Sequence, residues 1–381
     1  MSSHASDVLH VTSVHPWDDN RIFHKQCRSL QAAGMSVALM AVEAPGGLMQ
    51  GVHTLRLKRA PAGRLGRIAV TLPKILWKSL RVKARIVHIH DPELIPIALA
   101  AKVWGCRIVY DVHEDYPLDI LCKPWIPRLL RRPVAAAFSI FERLCVRAFD
   151  AVIAATPAIG ARLAPYNSKT FVVANYPRLD ELAVALETNA KERADIVYLG
   201  YLTEIRGIRV LVDAMSKVKG RLLLAGRFTD PALEEYVRDR LAVGHIEFVG
   251  WVDRRDLTGL FRRAAVGVVP LLPVPSFVES LPNKLFEYMA AGIPVVASAF
   301  AGWKDLVEGL EVGWCVPPGD ADALAERLNY ALANPNEARA RGRRGRAAVE
   351  SRFNWEAAFG ELLRAYTRVV PDIVAPERRE C

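Results

Sequence analysis

Short apolar runs alternate along the chain with longer stretches of helical periodicity, and glycine, proline or polar residues separate them. The first apolar run, Val8–Val14, is followed by a polar loop and by a helical pattern over 21–33. That pattern ends at Gly34, which suits the left-handed turn that closes a helix. A second apolar run, Val37–Val42, comes next. Strand, loop, helix and strand in this order predict the start of a parallel α/β sheet.

The same alternation continues to about residue 174. Further strands are predicted at Ile86–His90, Arg107–Val112, Ala151–Ala155 and Phe171–Ala174. Helices are predicted at Leu94–Val103, at Val134–Ala148 and from Pro157 onward, where proline suits a first helical turn.

A polar stretch punctuated by proline, residues 175–193, predicts a connection between two domains. A second series of strands follows, at Ile196–Leu199, Arg221–Ala225, Ile246–Val249, Val266–Val269, Val295–Ala297 and Trp314–Val316. The predicted organisation is α/β, with two doubly wound Rossmann-like lobes over 1–176 and 177–354, and an amphipathic helix, Trp355–Val369, with a tail over 355–381. Two such lobes imply a cleft, and ligands of open parallel sheets bind beyond the carboxyl ends of the strands.

Composition narrows the class of protein. Of the 381 residues, 51% are hydrophobic and 24% are charged, which is typical of a globular protein. Six scattered cysteines without a C-x-x-C motif favour reduced thiols in the cytoplasm. We find no signal peptide and no apolar stretch near the ~20 residues of a membrane span, so we expect a cytoplasmic protein with at most peripheral membrane contact.

The most informative segment runs from Glu279 to Ala297 and indicates a loop, a helix, a glycine stop and a strand. Pro282 stands where the helix begins, so the first-turn N–H groups are placed to bind a diphosphate. Lys284 adds a charge in that turn, and Glu287 lies on the same face, where a carboxylate can reach a ribose. Seven residues separate Glu287 from Glu279.

This segment resembles the family 4 retaining glycosyltransferases, in particular the branch that builds bacterial surface polysaccharides. The resemblance implies the GT-B fold, with a C-terminal helix that crosses back to the first lobe. It also implies that Glu279 contacts the donor hexose and Glu287 the ribose, and that Ser280 and Leu281 belong to the same donor site. Enzymes of this fold typically need no metal, and no metal or other cofactor is expected here. None of the candidate ligand groups, such as His88, His90 and Asp91, has the spacing of a known metal motif.

A second motif, from Tyr198 to Gly207, resembles the phosphate-binding loop of the same family. The family carries two cations here, whereas this chain has Tyr201 at the first position and Arg206 at the second. One guanidinium can bind phosphate in bidentate fashion, so Arg206 and Lys284, beside Gly200, are predicted to stabilise the leaving diphosphate.

Two segments of the first lobe follow predicted strands and carry histidines. The family places a histidine beside the donor sugar after the later strand, which corresponds to His113. His90 and Asp91 are interpreted as holding a loop. Arg21 and Lys25, four residues apart on a predicted helix, either meet an acceptor phosphate or are surface charges.

The formal charge of +10 is unevenly distributed. From Arg56 to Arg85 there are ten basic residues, no acidic one and Trp77. A second cluster runs from Lys123 to Arg132. Basic amphipathic segments with tryptophan are typical of a membrane interface, although a solvated helix that covers the sheet is the alternative. Nucleic acid is not an expected partner, since no helix-turn-helix, RNP or zinc-finger pattern occurs.

The sequence therefore predicts a hexosyltransferase that moves a sugar, with retention, from a UDP- or GDP-sugar to a lipid-linked glycan. The expected location is the cytoplasmic face of the cell membrane. Two alternatives stay open: a nucleotide-sugar epimerase of the same fold, and a catalytically inactive membrane-associated binding protein.

Overall fold

The structure is a computed structural model that describes residues 6–58, 72–123, 125–180, 193–241, 245–253 and 256–373. Two compact units divide the chain. The first contains residues 1–175 together with 357–381, and the second contains residues 176–356. Each unit has its own parallel sheet with helices around it, which confirms the predicted α/β class.

The sheet of the first unit has eight strands in the order β3-β4-β2-β1-β5-β6-β7-β8. Only the β3–β4 pair is antiparallel. The strands are β1 Val8–Pro16, β2 Val37–Val42, β3 Gly47–Met49, β4 Val52–Leu57, β5 Ile86–Ile89, β6 Arg107–Val112, β7 Ala151–Ala154 and β8 Thr170–Val172.

A π-helix, Asn20–Cys27, directly precedes the α-helix Arg28–Ala32. A 3-10 turn, Pro92–Leu94, directly precedes the α-helix Ile95–Val103. The helices are α1 Arg28–Ala32, α2 Leu72–Val82, α3 Ile95–Val103, α4 Tyr116–Cys122, α5 Arg128–Val146 and α6 Pro157–Leu163.

The sheet of the second unit has six parallel strands in the order β11-β10-β9-β12-β13-β14. These are β9 Asp195–Leu199, β10 Leu222–Ala225, β11 Ile246–Gly250, β12 Ala264–Val269, β13 Val295–Ser298 and β14 Gly313–Val316. A 3-10 turn, Glu204–Arg206, follows β9. The helices are α7 Ile208–Met215, α8 Pro231–Arg238, α9 Leu257–Arg263, α10 Pro275–Val278, α11 Asn283–Ala290, α12 Ala301–Val307, α13 Ala321–Ala333 and α14 Pro335–Ser351.

The last helix, α15 Trp355–Val369, has the predicted bounds and belongs to the first unit from residue 357 onward. Leu362, Ala365 and Tyr366 are fully buried. The Tyr366 hydroxyl lies 2.6 Å from Nδ1 of His88 on β5. The predicted return of the C-terminal helix to the first unit is therefore confirmed.

Three elements differ from the prediction. Strands β3 and β4, at one side of the sheet, were not predicted, because β3 has only three residues and β4 breaks its apolar alternation at the exposed Arg56. Helix α5 begins at Arg128, although we expected it to begin after Pro133; this proline lies inside the helix, near its start. The stretch around Arg21 forms a π-helix, which sequence periodicity does not distinguish from an α-helix.

Part of the basic segment between Arg56 and Arg85 lies outside the described residues, namely 59–71. The described part includes α2, on which Trp77 is 53% exposed. The Arg81 guanidinium stacks 3.4 Å from the centre of the Trp77 ring. No helix of the described residues is both long and apolar enough to cross a bilayer.

Candidate active site

A buried cation lies at the carboxyl edge of the second sheet. Lys284, in the first turn of α11, is only 6% exposed, and its Nζ has no hydrogen-bond partner among the described residues. The Nζ atom lies 3.9 Å from the centre of the Tyr198 ring, on β9, in cation–π geometry. Burial, and then the neighbouring Arg206, hold the pKa of Lys284 well below its ordinary value, while Glu287 acts in the opposite direction.

Two glycines allow the backbone to pass close to its neighbours at this site: Gly200 lies beside Lys284, and Gly207 lies beside Pro270. Gly200, with a φ of +124°, follows β9, and a Cβ atom there would lie 3.2 Å from Nζ of Lys284. Gly207, with a φ of +72°, is the N-cap of α7, and a Cβ atom there would lie 1.8 Å from the carbonyl oxygen of Pro270. Gly207 is therefore required by steric contact with the backbone, whereas at Gly200 the positive φ favours glycine.

The structure brings Arg206, Lys284, Glu287 and Gly200 together. Electrostatic coupling links Lys284 to both Arg206 and Glu287, and Glu287 is 9% exposed. The start of α11 lies in the same place, since Pro282 is its N-cap and provides no side-chain cap. First-turn N–H groups and two cations form a site with the character needed for a phosphate or diphosphate.

The remaining predicted donor-site residues lie just before α11. Glu279 is exposed and follows the short helix α10. The carbonyl oxygen of Ser280 accepts a hydrogen bond of 2.7 Å from Nε1 of Trp303, and Leu281 packs against the core of the unit. Tyr201 is 48% exposed, so the aromatic ring that replaces the family's first cation faces solvent.

The site of the first unit is built around a buried carboxylate, Asp111, at the carboxyl end of β6. Its oxygens accept bidentate hydrogen bonds of 3.1 and 2.7 Å from Arg21, and Oδ2 accepts a further bond of 2.7 Å from Gln26. Oδ2 also lies 3.3 Å from Nε2 of His113 and 3.4 Å from Nδ1 of His90. Burial opposes ionisation, but Arg21 and the histidines outweigh it, so the pKa of Asp111 is well below its ordinary value.

The placement of Arg21 and Lys25 rules out one of the two interpretations made for them, that of surface charges. Both are buried, with exposures of 4% and 1%. Arg21 binds Asp111 and the carbonyl oxygen of Val173, and Lys25 binds the side chain of Asn175 at 2.7 Å. Neither is a surface charge, because their hydrogen-bonding groups are directed into the first unit, while contact with an acceptor phosphate stays a prediction.

His113 and His90 lie together, and two further residues of this site, His10 and Tyr366, were missed. His10 on β1 and His88 on β5 are directly paired in register, and Tyr366 of α15 contacts both. The alternation of His88 and His90 along one strand places them on the same face, and this was the available signal. Asp91, as predicted, holds a loop, since it accepts hydrogen bonds from the backbone and side chain of Ser13.

Two groups of side chains in the described part of the chain bring three possible metal-ligating atoms within 4.8 Å of one another, namely His10, His88 and His90, and His90, Asp111 and His113. In the second group Oδ2 of Asp111 already accepts hydrogen bonds from Arg21 and Gln26. A metal ion at this oxygen would also lie close to the Arg21 guanidinium and be repelled by it. The second group therefore fits a metal ion poorly.

Comparison with known proteins agrees with this architecture. Residues 20–176 match the model described as Glycosyltransferase Family 4, and residues 193–334 match the model described as Glycosyl transferases group 1. The sucrose-phosphate synthase of Thermosynechococcus elongatus superposes with a TM-score of 0.73 and 25% identity, over 94% of this chain and 98% of that one. The Anabaena protein HepE in complex with UDP and glucose superposes with a TM-score of 0.72 and 15% identity, over 95% of this chain and 99% of that one.

Two relatives are informative by sequence. The phosphatidyl-myo-inositol mannosyltransferase of Mycobacterium leprae is 28% identical over 74% of this chain and 73% of the relative. The putative colanic acid biosynthesis glycosyltransferase WcaL of Escherichia coli is 30% identical, but the match spans only 44% of this chain and 43% of the relative.

The two lobes and their sites define a GT-B protein. The chain belongs to the glycosyltransferases: its first unit matches the Family 4 model and its second unit matches the group 1 model.

Proposed function

We propose that this glycosyltransferase moves a hexosyl group, with retention, from a UDP- or GDP-sugar to a lipid-linked glycan in surface polysaccharide assembly. The observation that carries the proposal is the buried Lys284 ammonium, whose Nζ has no hydrogen-bond partner among the described residues. An unpaired buried charge is costly to maintain in a folded protein. A diphosphate at this position would offset that cost.

The leaving diphosphate is stabilised by charge. Arg206, Lys284 and the N-terminus of α11 supply positive potential where negative charge develops as the bond between the sugar and the diphosphate breaks. The acceptor hydroxyl forms the new bond on the same face of the sugar, and its proton passes to the departing phosphate. Glu279 orients the hexose and Glu287 binds the ribose, as the resemblance to family 4 implies. These roles need neither a metal ion nor another cofactor.

The names of two related proteins support the proposed class of product, and a solved structure with the same fold supports the proposed class of donor. WcaL is named for colanic acid biosynthesis, and AmsK of Erwinia amylovora, 29% identical over 46% of this chain, is named for amylovoran biosynthesis. Both names denote polysaccharides that bacteria export. HepE, which has the same fold, has been crystallised with UDP-glucose. A nucleotide sugar is therefore the donor class that we propose.

A membrane partner is supported by an exposed apolar face on α5. Leu129 is 91% exposed, and the further apolar side chains exposed on this helix are Leu130, Val134, Ile140, Phe141 and Leu144. Arg128 and Arg132 are exposed at its start, while its only acidic residue, Glu142, is buried and paired with Arg162. An apolar face flanked by cations fits an anionic leaflet. We propose that the protein is peripheral on the cytoplasmic face of the cell membrane, where a lipid-linked acceptor is found.

The experiment that tests the proposal compares thermal unfolding of the purified protein with UDP, GDP, ADP and buffer. A ligand at about 100 times its Kd stabilises the folded protein by about 2.7 kcal/mol. We expect UDP or GDP to raise the Tm, and Lys284→Ala to abolish that rise. Lys304→Ala is the matched control, because Lys304 is an exposed lysine on α12 of the same unit.

The chemistry is followed by incubating the protein with the nucleotide sugar that matches the stabilising base. Release of the nucleotide, together with an α-linked product from an α-linked donor, supports retention. Interconversion of free sugars or nucleotide sugars without transfer would assign the epimerase alternative. If no nucleotide raises the Tm, the diphosphate site is refuted and the inactive binding protein becomes the better interpretation.

A further inference from the structure

A cavity of about 270 Å³ lies at the amino edge of the sheet in the second unit. Three of its lining residues stand where strands begin: Ala194 directly before β9, Ala265 near the start of β12 and Pro294 directly before β13. These strands have four to six residues, which span about 13–20 Å. Lys284 and Gly200 lie at the opposite, carboxyl edge, so the cavity is distinct from the candidate active site.

The charged residues that line this cavity are all cations, namely Arg193, Lys219 and Arg339. They come from three separate parts of the chain: the approach to β9, the loop before β10 and the start of α14. Acidic residues close to them in sequence bind other partners, since Asp195 pairs with Arg221 and Glu337 pairs with Arg341. The lining therefore carries positive charge and no carboxylate that would neutralise it.

The two guanidinium groups of the cavity are held in place by neutral oxygen atoms. Nη1 of Arg193 donates hydrogen bonds of 3.3 Å to the carbonyl oxygens of Ala291 and Gly292, directly after α11. Nη2 of Arg339 donates to the side-chain oxygen of Asn336. These contacts orient the cations without cancelling their charge, and donors that are already oriented bind an anion at a lower entropic cost.

The start of α14 adds to the positive potential of the cavity. Pro335 and Ala338, in its first turn, line the cavity, and its N-cap Asn334 provides no side-chain cap. The helix has 17 residues, and N–H groups at the start of a helix attract anions. Burial also lowers the pKa of Arg193, because desolvation disfavours its charged form, and a bound anion would offset this cost.

Charge and size indicate the chemical class of the anion. Three cations match a phosphate monoester, which carries a charge of about −1.5 to −2 at pH 7, more closely than they match a single carboxylate. A volume of about 270 Å³ is small for a ligand pocket, so it suits a small metabolite. Ala331 and Leu332 belong to the apolar part of the wall, which can contact the carbon atoms of such a ligand.

We propose that this cavity is a binding site for a phosphate group, either as free phosphate or as the monoester of a small metabolite. Arg193 and Arg339 bind the phosphate oxygens through guanidinium N–H groups, and Lys219 adds a compact charge. The site does not depend on the proposed function, because none of the residues assigned to the donor site lines the cavity.

The test is calorimetric titration of the full-length Lys284→Ala variant, in which the proposed diphosphate site is impaired. The probes are inorganic phosphate and glycerol 3-phosphate, with glycerol as the neutral control and sodium chloride to hold the ionic strength constant. We expect saturable binding of one or both phosphate compounds and none of glycerol, and the tighter of the two identifies the source of the phosphate group. Absence of binding by both compounds overturns the proposal.

Arg339→Gln and Lys219→Gln each remove one cation from the cavity. We expect each substitution to weaken binding of the phosphate compound roughly tenfold, the equivalent of one charge-assisted hydrogen bond. Arg343→Gln is the matched control, because Arg343 is an exposed arginine on the same helix that does not line the cavity. Equal losses in Arg339→Gln and Arg343→Gln overturn the proposal, since the phosphate would then respond only to the net charge of the surface.

The same three substitutions in the wild-type protein keep the test independent of how well Lys284→Ala folds. Phosphate binding at Lys284 contributes equally to all three variants, so the difference between Arg339→Gln and Arg343→Gln isolates the cavity. A loss confined to Arg339→Gln and Lys219→Gln supports the proposal. An unchanged affinity in all three variants places the phosphate elsewhere and overturns it.

Discussion

Lys284 illustrates how single residues of this protein combine burial with charge. The lysine lies in the first turn of α11 with Arg206 as a cationic neighbour, and the pKa of its ammonium group is well below the ordinary value because of burial first and Arg206 second. An anion at this site favours the protonated form. Binding of a diphosphate should therefore raise the pKa of Lys284 back toward its ordinary value.

The resulting prediction is that nucleotide binding takes up a proton at alkaline pH. Between the lowered pKa of the free protein and the ordinary value near 10.5, free Lys284 is partly neutral and nucleotide-bound Lys284 is protonated. Affinity for UDP or GDP should fall as the pH rises through this window, because a proton must be bound together with the nucleotide. Calorimetry in two buffers with different ionisation enthalpies, above about pH 8, measures the number of protons taken up, since the terminal phosphate has a second pKa of only about 6.

Lys284→Arg provides the control for this prediction. An arginine keeps its charge at all these pH values, so the variant should bind nucleotide without proton uptake. Proton uptake that persists in Lys284→Arg would show that another group titrates, and would remove the argument for a partly neutral lysine.

At the scale of single elements, α5 has a surface that a water-soluble helix rarely shows. Six large apolar side chains are exposed along it, as described above, and the helix buries only Ala135, Glu142, Cys145 and Val146. An exposed apolar patch of this kind usually marks an interaction site. Helix α2 of the same unit adds an exposed tryptophan and an arginine stacked on it.

We predict that α5 inserts into anionic membranes. In liposome flotation, the protein should bind vesicles that contain phosphatidylglycerol more strongly than vesicles of phosphatidylcholine alone. The double substitution of Phe141 and Leu144 by serine removes about 3 kcal/mol of apolar burial, which corresponds to a roughly hundredfold loss of partitioning. Leu48→Ser, at an exposed leucine on the edge strand β3, should have little effect.

Two outcomes would contradict this prediction. Equal binding to neutral and anionic vesicles would show that Arg128 and Arg132 do not contribute to membrane binding. Analytical ultracentrifugation could instead show a dimer that the Phe141 and Leu144 substitutions convert to a monomer. That result would mean that the exposed face of α5 binds a second copy of the chain.

At the scale of the whole molecule, the first unit is discontinuous in sequence. Residues 1–175 need residues 357–381 to complete their packing, and the second unit is formed by the chain between them. The buried contacts of α15, among them Leu362 and the hydrogen bond between Tyr366 and His88, therefore contribute to the stability of the first unit.

The prediction is that Leu362→Ala destabilises the first unit selectively. Truncation of a fully buried leucine costs about 2–5 kcal/mol. Hydrogen exchange should show faster exchange in β1 and β5, while β9 and β12 of the second unit stay protected. Arg368→Ala, at an exposed position of the same helix, is the control. Equal loss of protection in both units would show that α15 does not belong to the first unit alone.

The sequence by itself determined the α/β class, most strand positions, the bounds of α15 and the loop-helix-strand order of the segment around Lys284, for which we propose diphosphate binding. These features are local: apolar runs bounded by glycine and proline specify strands, and a proline followed by a lysine marks the start of one helix. Local spacing placed Gly200 and Arg206 after one strand, and the resemblance to family 4 predicted that they share a site with Lys284.

Only the tertiary structure decided the environment of the histidines and the role of Arg21. Asp111 and Arg21 are 90 residues apart, and His88 and Tyr366 are 278 residues apart, so no periodic pattern links them. The parallel sheet brings the ends of β1, β5 and β6 together, and a chain end that returns to the first unit closes the cluster. Burial then determines which groups are charged, because desolvation depends on neighbours that are distant in sequence.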